Sequence, residues 1–193
     1  DSVNSAFFID GGHLTLSDID VHVRSKNDES GVGYFSIFEL TNGGKLTCRN
    51  SEVVTVASST EENSNVEGNR IFLARVSPFR ESKEYLNEDI GEGQRIPLQE
   101  LLDQKVEENS ETVIEIENCV VDGDITCFNC EASTVLSISW TGGAVTTRSR
   151  FLTVNTSPVN SVGTVQIQLQ LHDATFVCRQ GFARLADVPG QDD

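Results

Sequence analysis

A pattern of residues occurs twice, 32 positions apart, and this repeat constrains the fold more than any other feature of the chain. Residues 10–23 read D-G-G-H-L-T-L-S-D-I-D-V-H-V, and residues 42–56 read N-G-G-K-L-T-C-R-N-S-E-V-V-T-V. In both segments two glycines precede a stretch in which apolar and polar residues alternate. The alternation has the period of a strand with one buried face and does not suit an amphipathic helix.

Three further segments repeat the pattern, over residues 112–121, 141–154 and 165–177. The pairs that we expect to point inward are Leu14/Leu16, Leu46/Cys48, Ile114/Ile116, Val145/Thr147 and Leu169/Leu171. A small polar residue follows each pair two positions later: Asp18, Asn50, Asn118, Ser149 and Asp173. Asp and Asn tolerate a left-handed backbone, so these residues indicate corners that stack from one copy to the next at about 4.8 Å.

Apolar runs at 6–9, 34–40 and 134–140 precede the Gly-Gly turns, which predicts three short strands per repeat. Residues 70–76 are interpreted as a strand of a degenerate repeat. The charged segment 77–110 predicts an irregular excursion, and Leu98, Leu101, Leu102 and Val106 within it have the spacing of a short helix. The whole of 1–193 is interpreted as one domain.

The fold class that best fits is all-β, a right-handed, single-stranded parallel β-helix with irregular loops. Alternating strands and regular turns are also typical of a β-sandwich or a propeller. The β-helix is preferred because corresponding positions repeat by chemistry as well as by polarity, and a parallel solenoid stacks like residues on like.

The segments F-F-I-D-G-G-H-L-T-L-S-D-I-D-V and S-I-F-E-L-T-N-G-G-K-L-T-C-R-N-S-E-V carry a resemblance to a known family. They resemble the right-handed β-helix repeats of pectate lyase-like proteins and of polymorphic outer-membrane or surface proteins. The resemblance implies an extracellular or cell-surface location. It also implies one of two functions, binding at a surface or cleavage of acidic polysaccharides in a groove along one sheet.

The enzymatic alternative, a polysaccharide lyase or glycoside hydrolase, needs paired carboxylates or a calcium site beside a basic residue. The hydrolase motifs N-T-D, G-H-G and R-I-K are absent, and D-D occurs only at the last two positions. The best candidates for binding or elimination chemistry are Glu115, Glu117, Asp122, Asp124, Arg148 and Arg150. Arg148 and Arg150 are expected to face Glu115 and Glu117 across the stack, an arrangement that surface ion pairs would equally explain. We therefore expect no catalytic residue and no cofactor, with calcium as the alternative.

Five cysteines, an odd number, cannot all pair within the chain. Cys127 and Cys130 form C-F-N-C, and Cys119 lies close to them in sequence. A zinc site would lack a clear fourth ligand, so a disulfide and buried free thiols stay open as alternatives.

The net charge of −16, from 14 basic and 30 acidic residues, disfavours nucleic acid as a partner. No apolar stretch is long enough for this segment to enter a membrane. Inward positions are expected for the aromatic residues Phe8, Phe38, Phe72, Phe151 and Phe176, which would leave few rings to stack on sugars. We thus predict a non-catalytic, structural or adhesive β-helix segment with a protein or glycan ligand. Its open ends would meet flanking rungs of a larger chain.

Overall fold

The described part of the chain, in a computed structural model, comprises residues 4–24, 34–56, 70–77, 111–131, 135–155 and 166–186. These ranges hold strands and no helix. In chain order the strands are β1 (Asn4–Asp10), β2 (His13–Ser17), β3 (Asp20–Arg24), β4 (Tyr34–Thr41), β5 (Lys45–Arg49), β6 (Glu52–Val56), β7 (Arg70–Val76), β8 (Thr112–Glu117), β9 (Val120–Gly123), β10 (Thr126–Glu131), β11 (Val135–Thr141), β12 (Ala144–Thr147), β13 (Leu152–Asn155), β14 (Gln166–His172), β15 (Thr175–Cys178) and β16 (Ala183–Ala186).

Three parallel sheets form a coil, because consecutive strands visit them in turn. Sheet A has the order β1-β4-β7-β10-β13-β16, sheet B has β14-β11-β8-β5-β2, and sheet C has β15-β12-β9-β6-β3. One passage through A, B and C is called a rung below. The chain is therefore a parallel β-helix, as the repeat predicted.

The register of sheet B confirms the alignment of the first two copies. Leu14 pairs with Leu46, which pairs with Ile114. Leu46 and Ile114 are 1% and 0% exposed, so this column of apolar side chains fills the inside of the coil. The strand expected over residues 70–76 is confirmed as β7 of sheet A.

Four of the five expected corners lie in one line between sheets B and C. Asp18, Asn50, Asn118 and Asp173 have φ values of 56°, 48°, 51° and 50°. The line is held by backbone hydrogen bonds between rungs: Asp18 N donates to Arg49 O at 3.0 Å and Asn50 N to Glu117 O at 2.9 Å.

The fifth corner, Ser149, was placed wrongly. Gly142, with φ 70°, occupies the corner slot of that rung, and Ser149 lies between β12 and β13. Val145 and Thr147 are buried as expected, but they belong to sheet C, while Ile138 and Trp140 extend the sheet B columns.

This error arises because Gly-Gly pairs occur at two different corners of the coil. The first two Gly-Gly pairs precede sheet B strands β2 and β5, whereas Gly142-Gly143 follows sheet B strand β11 and precedes sheet C strand β12. The described part of the run 134–140, which lies in β11, consequently contributes to sheet B, and not to the sheet that precedes the turn in the first two copies.

An aromatic cluster fills the core of the fourth and fifth rungs. Trp140, Phe128 and Phe151 are fully buried, and Phe176 packs against them half-buried. Phe38 and Phe72 are also buried. The expectation for Phe8 was wrong, because Phe8 pairs with Glu39 in sheet A and is 59% exposed.

The expected excursion over residues 77–110 lies almost entirely outside the described residues, as do the four residues with helical spacing. The assignment of the whole chain to one domain stays a prediction.

Candidate functional site

The outer face of sheet B is the most continuous polar surface among the described residues. Alternation turns every second residue of β2, β5, β8, β11 and β14 outward, and parallel pairing aligns these residues in columns. One column contains Thr15, Thr47, Glu115, Ser139 and Gln170. The columns on either side are His13, Lys45, Val113, Ser137 and Gln168, and Ser17, Arg49, Glu117, Thr141 and His172. We call this surface the sheet B face.

A hydrogen-bonded cluster lies at one side of the sheet B face. Lys45 Nζ donates to Glu115 Oε1 at 2.8 Å, and Thr47 Oγ1 donates to Glu115 Oε2 at 3.1 Å. His13 Nε2 is 2.9 Å from Thr47 Oγ1, and Thr15 Oγ1 is 3.3 Å from the same nitrogen. The single hydroxyl proton of Thr47 goes to the carboxylate, so Thr47 accepts a hydrogen bond from His13 and Nε2 carries a proton.

The cluster holds the pKa of the Glu115 carboxyl below its usual value. The main cause is the hydrogen bond from Lys45, with further contributions from the Thr47 hydroxyl and from electrostatic interactions with Lys45 and His13. Because Glu115 and Lys45 keep 42% and 36% of their side-chain surface exposed, water screens this pair. The Glu115 carboxylate is thus paired with Lys45, but the pair contributes little to stability.

A second ion pair continues the face. Arg49 Nε lies 3.2 Å from Glu117 Oε2, and each side chain is 53% exposed. Both acidic candidates of β8 are therefore paired with basic residues of the preceding rung. Pairs of this kind orient side chains but contribute little to stability.

The six candidates from the sequence do not form one site. Glu115 and Glu117 share the sheet B face, whereas Asp122 lies on β9 of sheet C and Asp124 follows that strand. The expected pairing of Arg148 and Arg150 with Glu115 and Glu117 was wrong. Both arginines lie between β12 and β13, and Arg150 Nη1 donates to Gln180 Oε1 at 2.9 Å.

The described residues do not fit a calcium site. Calcium takes six to eight oxygen ligands, yet this part of the chain contains no group of three or more His, Cys, Asp or Glu placed to hold a metal ion. The two glutamates of the sheet B face are engaged by Lys45 and Arg49.

Five free thiols are distributed over different parts of the coil. Cys127 and Cys130 are buried in β10. Cys119 lies instead beyond the corner after β8, where its Sγ is 3.7 Å from Cys48 Sγ. Cys119 is therefore close to the C-F-N-C segment in sequence, but in the fold it contacts Cys48.

A buried ion-pair cluster on sheet A was not predicted. Arg75 lies in the outward column with Glu39 and Asn129, but its side chain is only 9% exposed. Arg75 Nη1 is 3.7 Å from Glu39 Oε1, and Arg75 also pairs with Glu131. The Ser77 hydroxyl donates to Glu39 at 3.2 Å. Loss of one charge from such a cluster is costly, which indicates a structural role.

Glu115 was a candidate from the sequence, but its partners Lys45, Thr47 and His13 were missed, although the sequence contained the signal. Aligning Leu46 with Ile114 places Thr47 beside Glu115, and the 32-residue repeat places His13 beside Lys45. These partners are recognised only when the outward positions of the repeat are aligned from rung to rung.

Fold and surface together define the class of protein: a parallel β-helix with a polar, internally paired face on one sheet. In comparisons with known proteins, no family model, no curated protein and no solved structure matches the chain. Among the described residues no helix could span a membrane.

Proposed function

We propose that the chain is a non-catalytic segment of a secreted or cell-surface protein and that the sheet B face binds a protein or glycan partner. The observation that carries the proposal is the column structure of that face. Hydroxyl and amide groups from successive rungs are presented at a spacing of about 4.8 Å, a regular array of hydrogen-bond donors and acceptors. The resemblance of the rungs to those of pectate lyase-like and surface proteins supports a role of this kind.

Charge favours binding over catalysis on this face. The carboxylates of Glu115 and Glu117 are held by cations of the preceding rung, so neither is an unengaged acid or base. The net charge of −16 would moreover repel the acidic polysaccharides that lyases of this superfamily cleave.

The binding role is tested by two variants of equal charge on neighbouring strands. Ser139→Arg places a long cation in the middle of the sheet B face, and Thr146→Arg places one on the exposed outer side of sheet C. The wild type and both variants are exposed to arrays of neutral and acidic oligosaccharides and of extracellular matrix proteins. We expect at least one ligand, with affinity weakened about tenfold or more by Ser139→Arg and unchanged by Thr146→Arg. The absence of any ligand, or equal losses in both variants, would contradict the proposal.

An enzymatic alternative rests on one observation, the hydrogen-bonded Lys45 and Glu115 on an exposed surface. Incubation with polygalacturonate, with and without calcium, distinguishes the two functions through ultraviolet absorbance of an unsaturated product and assay of new reducing ends. We expect neither signal. Cleavage that is lost in Lys45→Met would establish the enzyme in place of the binding segment.

A further inference from the structure

Cys48 and Cys119 form the closest pair of thiols that the described structure records, and they come from adjacent rungs. Cys48 is in β5, and Cys119 lies between β8 and β9, 71 residues further along the chain. Their sulfur atoms are 3.7 Å apart, and the residues are 7% and 3% exposed. Both side chains belong to the buried hydrophobic core.

We propose that Cys48 and Cys119 are a site of disulfide formation that covalently links the second rung to the third. The inference is independent of the proposed function, because it rests only on the geometry of the two thiols. Bond formation requires the sulfur separation to shrink from 3.7 Å to about 2.05 Å.

The surroundings assign different roles to the two sulfurs. Cys119 Sγ donates toward Cys48 Sγ, and this hydrogen bond lowers the pKa of the Cys48 thiol to about 7. The pKa of Cys119 is raised, first by the same interaction with Cys48 and then by burial. Cys48 is therefore the more acidic of the two thiols, and it supplies the thiolate that acts as the nucleophile in exchange.

The oxidant is a small-molecule disulfide such as oxidised glutathione. The Cys48 thiolate attacks one of its sulfurs, a mixed disulfide forms, and one glutathione thiolate leaves. Cys119 then loses its proton and attacks the Cys48 sulfur, which displaces the second glutathione. Two protein thiols are oxidised, and one glutathione disulfide is reduced to two thiols.

The link would close a loop that contains the stretch between β6 and β8. Constraining a loop of this length reduces the entropy of the unfolded chain, so the oxidised protein should unfold at a temperature about 10 °C higher than the reduced protein. Because both sulfurs are almost inaccessible in the completed fold, the oxidant must reach Cys48 while the second and third rungs pack together, so we expect the bond to form during refolding in a redox buffer.

Mass spectrometry of the refolded full chain tests the assignment directly. The reduced, denatured protein is refolded with a mixture of reduced and oxidised glutathione, alkylated, and digested without reduction. Trypsin releases 46–49, and cleavage after Glu117 and before Asp122 releases 118–121, which separates Cys119 from Cys127 and Cys130. We expect these two peptides joined, at a mass two hydrogens below their sum.

Matched serine variants complete the experiment. Cys48→Ser and Cys119→Ser should each abolish the rise in unfolding temperature on oxidation, whereas Cys130→Ser, which removes another buried thiol, should retain it. The proposal is overturned if oxidised wild type lacks the joined peptides, or joins other cysteines instead, or if Cys48→Ser keeps the full rise. The peptide result from wild type decides the question even where a serine variant does not fold.

Discussion

At the scale of single residues, the corner between sheets B and C depends on residues that accept a left-handed backbone. Asp and Asn do so at less cost than other residues with a side chain, because their short polar groups bond locally. In the fourth rung the slot belongs to Gly142, and the Asn118 side chain occupies the place that a Cβ at position 142 would need. A glycine can therefore occupy this corner, because the Asn118 side chain of the adjacent rung fills the space that the glycine leaves empty.

The next residue provides a test of this requirement. Gly143 has φ 77°, and a Cβ there would overlap the backbone of Cys119. We expect Gly143→Ala to lower the free energy of unfolding by about 2–4 kcal/mol, from backbone strain and from displacement of the adjacent rung. Gly12→Ala is the matched control, because its Cβ would approach only Asp10 O, at 3.9 Å. Urea denaturation measures both, and equal effects would show that the close approach at Gly143 does not exist.

A second residue-scale prediction concerns Glu115. Replacing Lys45 by Met removes the strongest cause of its lowered pKa, so the pKa should rise toward the ordinary value of about 4.3. An NMR titration of the Glu115 side-chain carboxyl measures the change. Arg49→Met, which breaks only the pair with Glu117, is the control and should leave the pKa of Glu115 nearly unchanged.

The sign of the linked stability follows from the direction of the shift. A carboxyl whose folded pKa lies below its unfolded pKa stabilises the fold above the unfolded value, and this contribution is lost as the pH falls through the folded pKa. The stability difference between wild type and Lys45→Met should therefore shrink below about pH 4. A difference that stays constant down to pH 2 would mean that the Lys45–Glu115 pair is not the source.

At the scale of strands, the core is held by aromatic side chains contributed by different sheets. The ring centroid of Trp140 on β11 lies 6.3 Å from that of Phe128 on β10 and 5.7 Å from that of Phe176 on β15. Its indole nitrogen donates to Gly142 O at 2.9 Å, which fixes the ring beside the corner. One residue thus connects all three sheets with the turn that joins two of them.

We predict that Trp140→Ala costs about 3–5 kcal/mol of stability, because a large cavity would open among these rings. Trp140→Phe should cost less, since it keeps most of the packing and loses the hydrogen bond. Phe8→Ala, at a ring that is 59% exposed, should change stability by only about 0.5 kcal/mol. Chemical denaturation followed by circular dichroism compares the three. A cost for Phe8→Ala as large as that for Trp140→Ala would contradict the assignment of the core.

The strands also show what could be predicted from the sequence and what could not. Sheet B was predictable where polarity and corner chemistry agreed, as at Leu14, Leu46 and Asn50. The prediction for the fourth rung was wrong because a Gly-Gly pair can form either of two corners of the coil. The neighbouring residues do not show which of the two corners it forms. Predicting the cluster of His13, Lys45 and Glu115 also requires the register between strands. Lys45 and Glu115 are separated by 70 residues in sequence, and only the register brings them together.

At the scale of the whole molecule, the exposed strand edges and the net charge have opposite effects on association between copies of the chain. Within the described residues each sheet has an unpaired edge at either end of the coil: β1, β2 and β3 at one end, and β16, β14 and β15 at the other. Apolar side chains are exposed at both ends, including Phe7 at 43% and Leu171 at 38%. These edges favour end-to-end contact, because another rung could continue the sheets. The net charge of −16 opposes contact between copies.

Salt should shift this balance, because it screens the repulsion between copies and leaves the apolar contacts in place. We predict that the average mass of the chain in sedimentation equilibrium rises with protein concentration, and rises more steeply at about 0.5 M than at about 0.05 M sodium chloride. Leu171→Lys places a charge at one open end and should suppress the rise. Thr146→Lys makes the same change of charge on the side of the coil and should not. If the wild type stays monomeric at both salt concentrations, the exposed end rungs do not attract one another. If both lysine variants suppress association equally, net charge and not the open end controls it.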